Sequence, residues 1–298
     1  GKENHIFSPA YREDEFEEVL ESCEHLVFNS FSQLGCFGER AAKAGKSVGI
    51  RVNPECSTQG EHAIYDPCAP GSRLGILVSE FPETLPSYGE GLHFHTLCEQ
   101  NADALEITLK AVEEKFGKWM KQLKWVNFGG GHHITRADYD RELLISCVRR
   151  IQDTYNVQVY LEPGEAVALN AGHLITTVED IVHNDIAVLD VSAACHMPDV
   201  IEMPYRPPLF DSGEAKEKEY TYLLGGPTCL AGDVIGSYSF DQPLKVGDRL
   251  TFGDMAIYTT VKNNTFNGMR LPDIVWERES GECEIVKSFG YEDFKCRL

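Results

Sequence analysis

Six short apolar runs, each ending in polar residues or glycines, alternate with longer amphipathic segments up to Ala171. The runs cover residues 5–9, 25–30, 47–54, 91–96, 125–131 and 157–164. Their apolar residues are continuous rather than alternating, which is typical of strands buried on both faces of a parallel sheet. Apolar residues recur at helical spacing between the runs, as at Leu105, Leu109, Val112 and Phe116. We therefore predict an α/β fold in which helices cover a parallel sheet.

A closed (β/α)8 barrel requires eight such units, and this sequence contains six. Two alternatives remain: the sheet is open, or two further units lie upstream of the sequence. In both, groups at the C-terminal ends of the strands meet at one edge and form the functional site. The residues expected at that edge are Ser8, Asn29, Asn53, His95, the Gly129-Gly130-Gly131 triplet and Glu162.

Beyond Ala171 the pattern changes to short runs rich in Val, Ile, Thr and Tyr, separated by Gly, Pro and Asp. Such runs predict strands. They cover residues 174–182, 186–191, 220–224, 234–238, 249–252 and 257–261. We predict a barrel domain over residues 1–171 and a C-terminal β domain over residues 172–298.

The net charge of −20, from 27 Lys and Arg against 47 Asp and Glu, repels nucleic acid and anionic membranes and attracts cations. A polycationic substrate would suit this charge, although acidity also aids solubility by itself. No apolar run is long enough to cross a bilayer, and no signal-peptide pattern is present. Ten cysteines without a Cys-x-x-Cys pair indicate reduced thiols. We expect a cytoplasmic protein without nucleic-acid or membrane partners.

Two strand ends carry the clearest candidate chemistry. The glycine triplet at residues 129–131 would let a ligand approach the backbone, and its amides could hold a phosphate; a tight turn is the alternative. Glu162 puts a carboxylate at the end of an apolar strand, where it needs a cationic partner. That partner is either a buried basic side chain or the protonated ring nitrogen of a cofactor.

His93-Phe94-His95 also admits a metal interpretation, because some metal-dependent hydrolases begin a zinc site with His-x-His at a barrel strand end. Such a site needs further His and Asp ligands, and His132 is the one available candidate. No carboxylate completes the set, so we expect no metal and a structural role for His93.

The β domain contains a turn-dense segment at residues 225–233, in which Cys229 and Asp233 lie four residues apart. A loop cysteine considered alone is more often inert than catalytic. Considered alone, Tyr258 could equally be a tyrosine packed in the hydrophobic core.

Together, these motifs resemble the pyridoxal-phosphate-dependent basic amino acid decarboxylases of the alanine-racemase-like fold, which include ornithine and diaminopimelate decarboxylases. The motifs occur in the family's order: His95, residues 129–131, residues 162–164, residues 226–229, Tyr258 and residues 265–268. The longer motifs resemble the carboxynorspermidine/carboxyspermidine decarboxylase branch. They are residues 129–136, 162–166, 195–207 and 229–233. The resemblance covers nearly the whole chain. It implies a (β/α)8-type barrel, with its first two units absent from this sequence, and a β domain, assembled as a homodimer with shared active sites.

The resemblance also implies roles for the cofactor-side residues. His95 would stack on the ring of pyridoxal 5′-phosphate, Glu162 would pair with its pyridine nitrogen, and the amides of Gly129 to Gly131 with Tyr258 would hold its phosphate. Cys229, contributed by the β domain of a partner subunit, would return a proton after carbon dioxide leaves. We take His95, Glu162 and Cys229 as the catalytic candidates.

The implied substrate is a small carboxypolyamine, carboxynorspermidine or carboxyspermidine. Acidic side chains should meet its ammonium groups, and Glu165 is the best candidate because it follows Glu162 by only three residues. Ornithine-type relatives carry a phosphate-binding arginine at this position, so Glu165 is expected to face a cationic substrate or another residue instead. Further substrate-side candidates are His132, Asp199, Asp211 and Asp233. Surface solvation is the alternative, above all for Asp211. Asp233 and Arg73 match positions that form a salt bridge between subunits in the relatives.

One departure from the family concerns the lysine that holds the cofactor, which lies at the end of the first barrel strand in the relatives. No lysine of this sequence takes its place, so we expect cofactor attachment to depend on residues outside it. A non-catalytic homologue is therefore one alternative. A diaminopimelate-type decarboxylase or a racemase is another, weakened by residues 195–207 and by Leu230, where diaminopimelate enzymes carry an acidic residue.

Overall fold

The computed structural model describes residues 3–60 and 63–298. The chain divides into two compact units, Gly1–Val167 and Ala168–Leu298, whereas the sequence pattern places the change after Ala171. No helix of the described residues is long and apolar enough to cross a bilayer.

The first unit is built on a parallel sheet whose six strands follow one another in sequence order. The strands are β1 (His5–Ser8), β2 (His25–Phe28), β3 (Ser47–Arg51), β4 (Gly89–His93), β5 (Trp125–Asn127) and β6 (Gln158–Tyr160). The helices are α1 (Phe16–Ser22), α2 (Phe31–Lys43), α3 (Ala102–Met120), α4 (Arg141–Tyr155) and α5 (Gly164–Ala168). This arrangement confirms the predicted α/β sheet.

Local sequence explains where these helices begin and which face they bury. The side chain of Ser30 accepts a hydrogen bond from the Gln33 amide at 3.1 Å and caps α2. Asp140 caps α4 in the same way through the Leu143 amide at 2.9 Å. The apolar face predicted for α3 is fully buried, and each such side chain stabilises the fold by roughly 1.5–3 kcal/mol.

The second unit contains a five-stranded sheet in the order β10-β9-β8-β7-β11 and a separate hairpin of β12 and β13. The strands are β7 (Leu174–Val182), β8 (Ile186–Leu189), β9 (Tyr220–Gly225), β10 (Val234–Phe240), β11 (Arg249–Phe252), β12 (Ile274–Glu277) and β13 (Cys283–Lys287). Its short helices are α6 (Ala193–His196), α7 (Asp199–Glu202), α8 (Thr259–Lys262) and α9 (Tyr291–Lys295). The predicted β domain is confirmed.

Several segments differ from the sequence prediction, among them the β12–β13 hairpin, which was not predicted. Residues 257–261 do not form a strand, because Tyr258 has a φ of 53° and the chain continues into α8. Before β4, the chain forms only the 3₁₀ turn Val78–Glu80. β4 begins at Gly89 and ends at His93, so His95 lies on the loop beyond the strand rather than inside it.

Candidate active site

The glycine triplet forms a tight loop after β5, packed against the segment that follows β4. Gly129 and Gly131 have φ values of 72° and 80°, which favour glycine. A Cβ on Gly131 would lie 2.0 Å from the Leu97 carbonyl oxygen, and a Cβ on Gly129 would lie 2.5 Å from that of Phe94. Any side chain at these two positions would therefore push the β4 and β5 loops apart.

The amides of this loop differ in their availability. The Gly129 amide donates to Asn127 Oδ1 at 2.8 Å, and the Gly130 amide donates to His95 Nδ1 at 3.2 Å. Among residues 3–60 and 63–298, the Gly131 amide has no acceptor. The Gly129 and Gly130 amides therefore already have acceptors, and phosphate binding by all three amides remains a prediction. Gly131 is the amide best placed to bind an anion.

Glu162 presents an ionised carboxylate at the same edge of the sheet. Asn127 Nδ2 donates to its Oε1 at 2.7 Å, and its Oε2 lies 3.5 Å from His93 Nε2. Burial raises the pKa of Glu162, but His93 and Asn127 more than offset this and lower it to about 2. Because 41% of the side chain is exposed, the anion remains available to a cationic partner.

His95 is a neutral ring held in a fixed orientation beside Glu162. Burial, followed by the charges of Arg51 and His93, lowers its pKa to about 4. Its Nδ1 accepts the Gly130 amide, so the ring carries its proton on Nε2. Arg51 Nη2 donates to the His95 carbonyl at 3.3 Å, and its guanidinium lies 4.3 Å from the Phe7 ring centroid.

Sequence reasoning missed Asn127 and Arg51. Both are polar residues at the C-terminal ends of buried strands, where Asn127 connects the glycine loop to Glu162. The sequence contained a signal for Arg51, because an arginine at the end of an apolar strand is expected to be buried and then needs a partner or a function.

His132, predicted on the substrate side, is buried directly after the glycine loop. It is 1% exposed, so a substrate contact at its ring remains a prediction. Burial lowers its pKa to about 4. The next residue, His133, instead turns towards Glu165, with 3.6 Å between its Nε2 and Glu165 Oε2.

The β domain brings its own motifs together around Cys229. This exposed residue lies on the loop between β9 and β10, and its amide donates to Asn267 Oδ1 at 2.7 Å. The loop is fixed by Asp233, which accepts from Thr228 Oγ1 at 2.7 Å and from Ser192 Oγ at 3.0 Å. Asp233 is 4% exposed, so it positions the Cys229 loop and is not open to a substrate.

Two other residues from the sequence prediction lie around α7 and α8. The charge of Asp199, a predicted substrate ligand, is matched by Lys262, whose Nζ lies 2.5 Å from its Oδ1. Tyr258 is 57% exposed and has a positive φ of 53°. Such a conformation costs about 1–3 kcal/mol and is concentrated at functional sites. Of these two residues, Tyr258 is therefore the stronger candidate for a functional role.

The residues of the first unit fit a cofactor that combines a protonated ring nitrogen with a phosphate. Glu162 supplies the anion, His95 supplies a neutral ring, and Gly131 supplies an amide. A Cβ on Gly130 would lie 2.7 Å from the Glu162 carbonyl oxygen and 3.1 Å from His95 Cε1. The absence of a side chain thus keeps the space between the two catalytic candidates open.

Comparison with known proteins gives consistent matches. The family described as "Pyridoxal-dependent decarboxylase, C-terminal sheet domain" matches residues 21–256. A carboxynorspermidine/carboxyspermidine decarboxylase from Campylobacter jejuni is 47% identical over an alignment of 309 positions that covers 99% of this chain and 80% of that protein. A carboxyaminopropylagmatine decarboxylase from Synechocystis is 42% identical over an alignment of 302 positions that covers 100% of this chain and 78% of that protein.

Solved structures show the same similarity. The crystal structure of carboxynorspermidine decarboxylase from Campylobacter jejuni, complexed with norspermidine, superposes with a TM-score of 0.90 at 46% identity. The match covers 100% of this chain and 81% of that one. A diaminopimelate decarboxylase superposes with a TM-score of 0.77 at 17% identity, covering 97% of this chain and 75% of that one, and thus shares the fold.

Proposed function

Because this chain belongs to the family of pyridoxal-dependent decarboxylases, we propose that it decarboxylates carboxynorspermidine or carboxyspermidine to norspermidine or spermidine in polyamine biosynthesis. The observation that carries the proposal is the 47% identity to the Campylobacter jejuni enzyme across 99% of this chain. The cofactor of the family is pyridoxal 5′-phosphate, which acts as an electron sink for the carbon that loses its carboxylate.

The barrel-side residues hold and tune this cofactor. Glu162 remains ionised at neutral pH because its pKa is about 2, so it can keep a ring nitrogen protonated beside it. His95, neutral and oriented by the Gly130 amide, offers its ring for stacking. The Gly131 amide is the proposed phosphate ligand of this unit.

The β-domain residues deliver a proton. We propose that the Cys229 thiol is the general acid that protonates the carbon after carbon dioxide departs. Asn267 and Asp233 support this role because they fix the backbone and the preceding threonine of the Cys229 loop. Cys229 would act in the site of a second copy, which makes the functional unit a homodimer.

We also propose a cytoplasmic location. All ten cysteines lie in the part of the chain that the structure describes, and none forms a disulfide. Free thiols, of which Cys229 is functionally important in this proposal, are typical of a reducing compartment.

The substrate can be tested by competition on the purified holoenzyme. Carboxynorspermidine, carboxyspermidine, carboxyaminopropylagmatine and meso-diaminopimelate are offered together, and each product is quantified by mass spectrometry. We expect one of the first two to have a kcat/KM at least about 100-fold above that of meso-diaminopimelate, because a site built for a long cationic tail loses those contacts with the shorter substrate.

Two results would contradict the proposal. Preference for meso-diaminopimelate would identify a diaminopimelate-type decarboxylase. Failure to release carbon dioxide from any of the four compounds, with the cofactor bound, would identify a non-catalytic homologue.

A further inference from the structure

Three hydrogen-bond acceptors converge at the strand-end edge of the first unit. Glu99, His133 and Glu165 each direct one atom to a common point, and the three atoms lie within 4.8 Å of one another. Glu99 and His133 lie on the loops after β4 and β5, and Glu165 lies in α5, which follows β6. We call these three residues the acceptor cluster.

Each residue of the acceptor cluster follows, within four residues, a group that is assigned to the cofactor. Glu99 follows His95 by four residues, His133 follows Gly131 by two, and Glu165 follows Glu162 by three. A substrate whose reacting carbon lies at the cofactor would therefore extend its tail over these loops.

His133 is the independent sign that the acceptor cluster binds a ligand. Its side chain is only 8% exposed, yet neither ring nitrogen has a hydrogen-bond partner among the described residues. Nε2 faces Glu165 Oε2 at 3.6 Å, which is too long for a hydrogen bond. Because a buried polar group without a partner is costly, a donor placed in this gap would be bound favourably.

The charge of the acceptor cluster indicates the kind of donor. Glu99 is exposed and the Glu165 side chain is 24% exposed, so the two carboxylates give the buried imidazole anionic neighbours that solvent can reach. A primary ammonium has three N–H groups, which match one oxygen from each carboxylate and one imidazole nitrogen. An isolated divalent metal ion is the competing ligand, since a histidine with two carboxylates can also bind zinc.

We propose that Glu99, His133 and Glu165 bind the terminal primary ammonium of the carboxypolyamine substrate. The proposal rests on the proposed function and makes these three residues the determinants of tail recognition. The acceptor cluster lies in the same three strand-to-helix connections as His95, Gly131 and Glu162, which favours the substrate ammonium over a metal ion.

The test uses two substrates that differ only in the tail. One is carboxynorspermidine; the other is its N-propyl counterpart, in which the terminal amino group is replaced by hydrogen. We expect Glu165→Gln and Glu99→Gln each to lower kcat/KM for carboxynorspermidine by about 10- to 100-fold, mainly through KM, because each removes a charge-assisted contact. The same variants should leave kcat/KM for the N-propyl compound within about twofold of the wild-type value.

Glu142→Gln is the matched control. Glu142 is an exposed carboxylate in the first turn of α4, on the same connection as His133 but outside the acceptor cluster. Glu142→Gln removes one negative charge, as Glu165→Gln does, but outside the acceptor cluster. It should therefore leave the ratio of the two kcat/KM values unchanged. Equal losses for both substrates in Glu165→Gln would overturn the proposal.

A second measurement separates this proposal from the proposed function. Calorimetry compares the binding of norspermidine and of N-propyl-1,3-diaminopropane to the holoenzyme, which requires no turnover. If wild-type protein fails to decarboxylate carboxynorspermidine, the proposed function fails, while a selective loss of norspermidine binding in Glu165→Gln still supports the acceptor cluster. One equivalent of tightly bound zinc or manganese that is lost in Glu165→Gln would identify a metal site and overturn the ammonium assignment.

Discussion

At the scale of the residue, Cys229 offers the sharpest test of the chemistry. Its thiol is exposed, while its loop is fixed through Asn267 and Asp233. We expect Cys229→Ala to bind cofactor normally and to lose about 10²–10⁴-fold in kcat, as is usual when a general acid is removed. Turnover measured in deuterium oxide, with cofactor content read from its absorbance, checks both parts.

Cys283→Ala provides the control for this experiment, because Cys283 is another exposed thiol of the same unit but lies on β13. It should retain wild-type turnover. A Cys229→Ala variant with unchanged kcat and unchanged deuterium incorporation would show that Cys229 is only a loop residue.

Residue identity in the sequence indicated which strand ends carry the site but not which way each side chain points. Glu162 and His95 were placed correctly at the edge of the sheet because every parallel strand ends there. His132 was assigned to the substrate although its ring is buried, since adjacent histidines look equivalent in a sequence. Asp233 was assigned to the substrate or a partner subunit from its match to the relatives, because a sequence does not show its hydrogen bonds to Ser192, 41 residues away, and to Thr228.

At the scale of the element, the loop after β5 depends on the absence of side chains. We expect Gly131→Ala to lower the free energy of unfolding by more than about 1 kcal/mol, because its φ is positive and the new Cβ would meet the Leu97 carbonyl. Weaker cofactor binding should accompany this loss. Urea denaturation and cofactor titration measure the two effects.

Gly164→Ala is the matched control for the loop. Gly164 begins α5, and a Cβ there would meet nothing within 4 Å. We expect little change in stability or cofactor affinity. If Gly131→Ala behaves like Gly164→Ala, the loop tolerates a side chain and the tight-packing argument is wrong.

Elements with a buried face were predictable, and those without one were not. The parallel strands and α3 leave continuous or periodic apolar patterns because they pack against the core. The β12–β13 hairpin was missed because all of its residues are exposed, so no alternation distinguishes its faces. Residues 257–261 contain apolar side chains, but Tyr258 and Val261 are exposed. The apolar pattern of this segment therefore does not reflect burial of one face against the core.

At the scale of the whole molecule, several buried histidines make stability depend on pH. Burial is the largest cause of a lowered pKa in each of five of them: His25, His93, His95, His132 and His196. Between pH 6.5 and about 4, the unfolded chain binds protons that the folded chain does not. The free energy of unfolding therefore falls as the pH falls, by up to about 3 kcal/mol for His132 alone.

Urea unfolding between pH 7.5 and 4.5, followed by the fluorescence of the buried Trp119 and Trp125, measures this dependence. We expect His132→Gln to flatten the slope, whatever it does to stability at pH 7.5. Glu162 acts in a separate window, because its stabilising effect is lost only as the pH falls from about 4.5 towards 2. An unchanged slope in His132→Gln would contradict the assignment.

The packing of Gly129 to Gly131 against the backbone after β4 has an evolutionary consequence. Contacts made by main-chain atoms persist as long as the fold is conserved. Because a side chain at any of the three glycines would disrupt this packing, almost any substitution there would be selected against. The acceptor cluster lies on the connections that follow β4, β5 and β6, but its contacts are made by side chains. Such side chains can be substituted one at a time. Descendants of such an enzyme can therefore acquire new substrate tails while the chemistry at the cofactor stays the same.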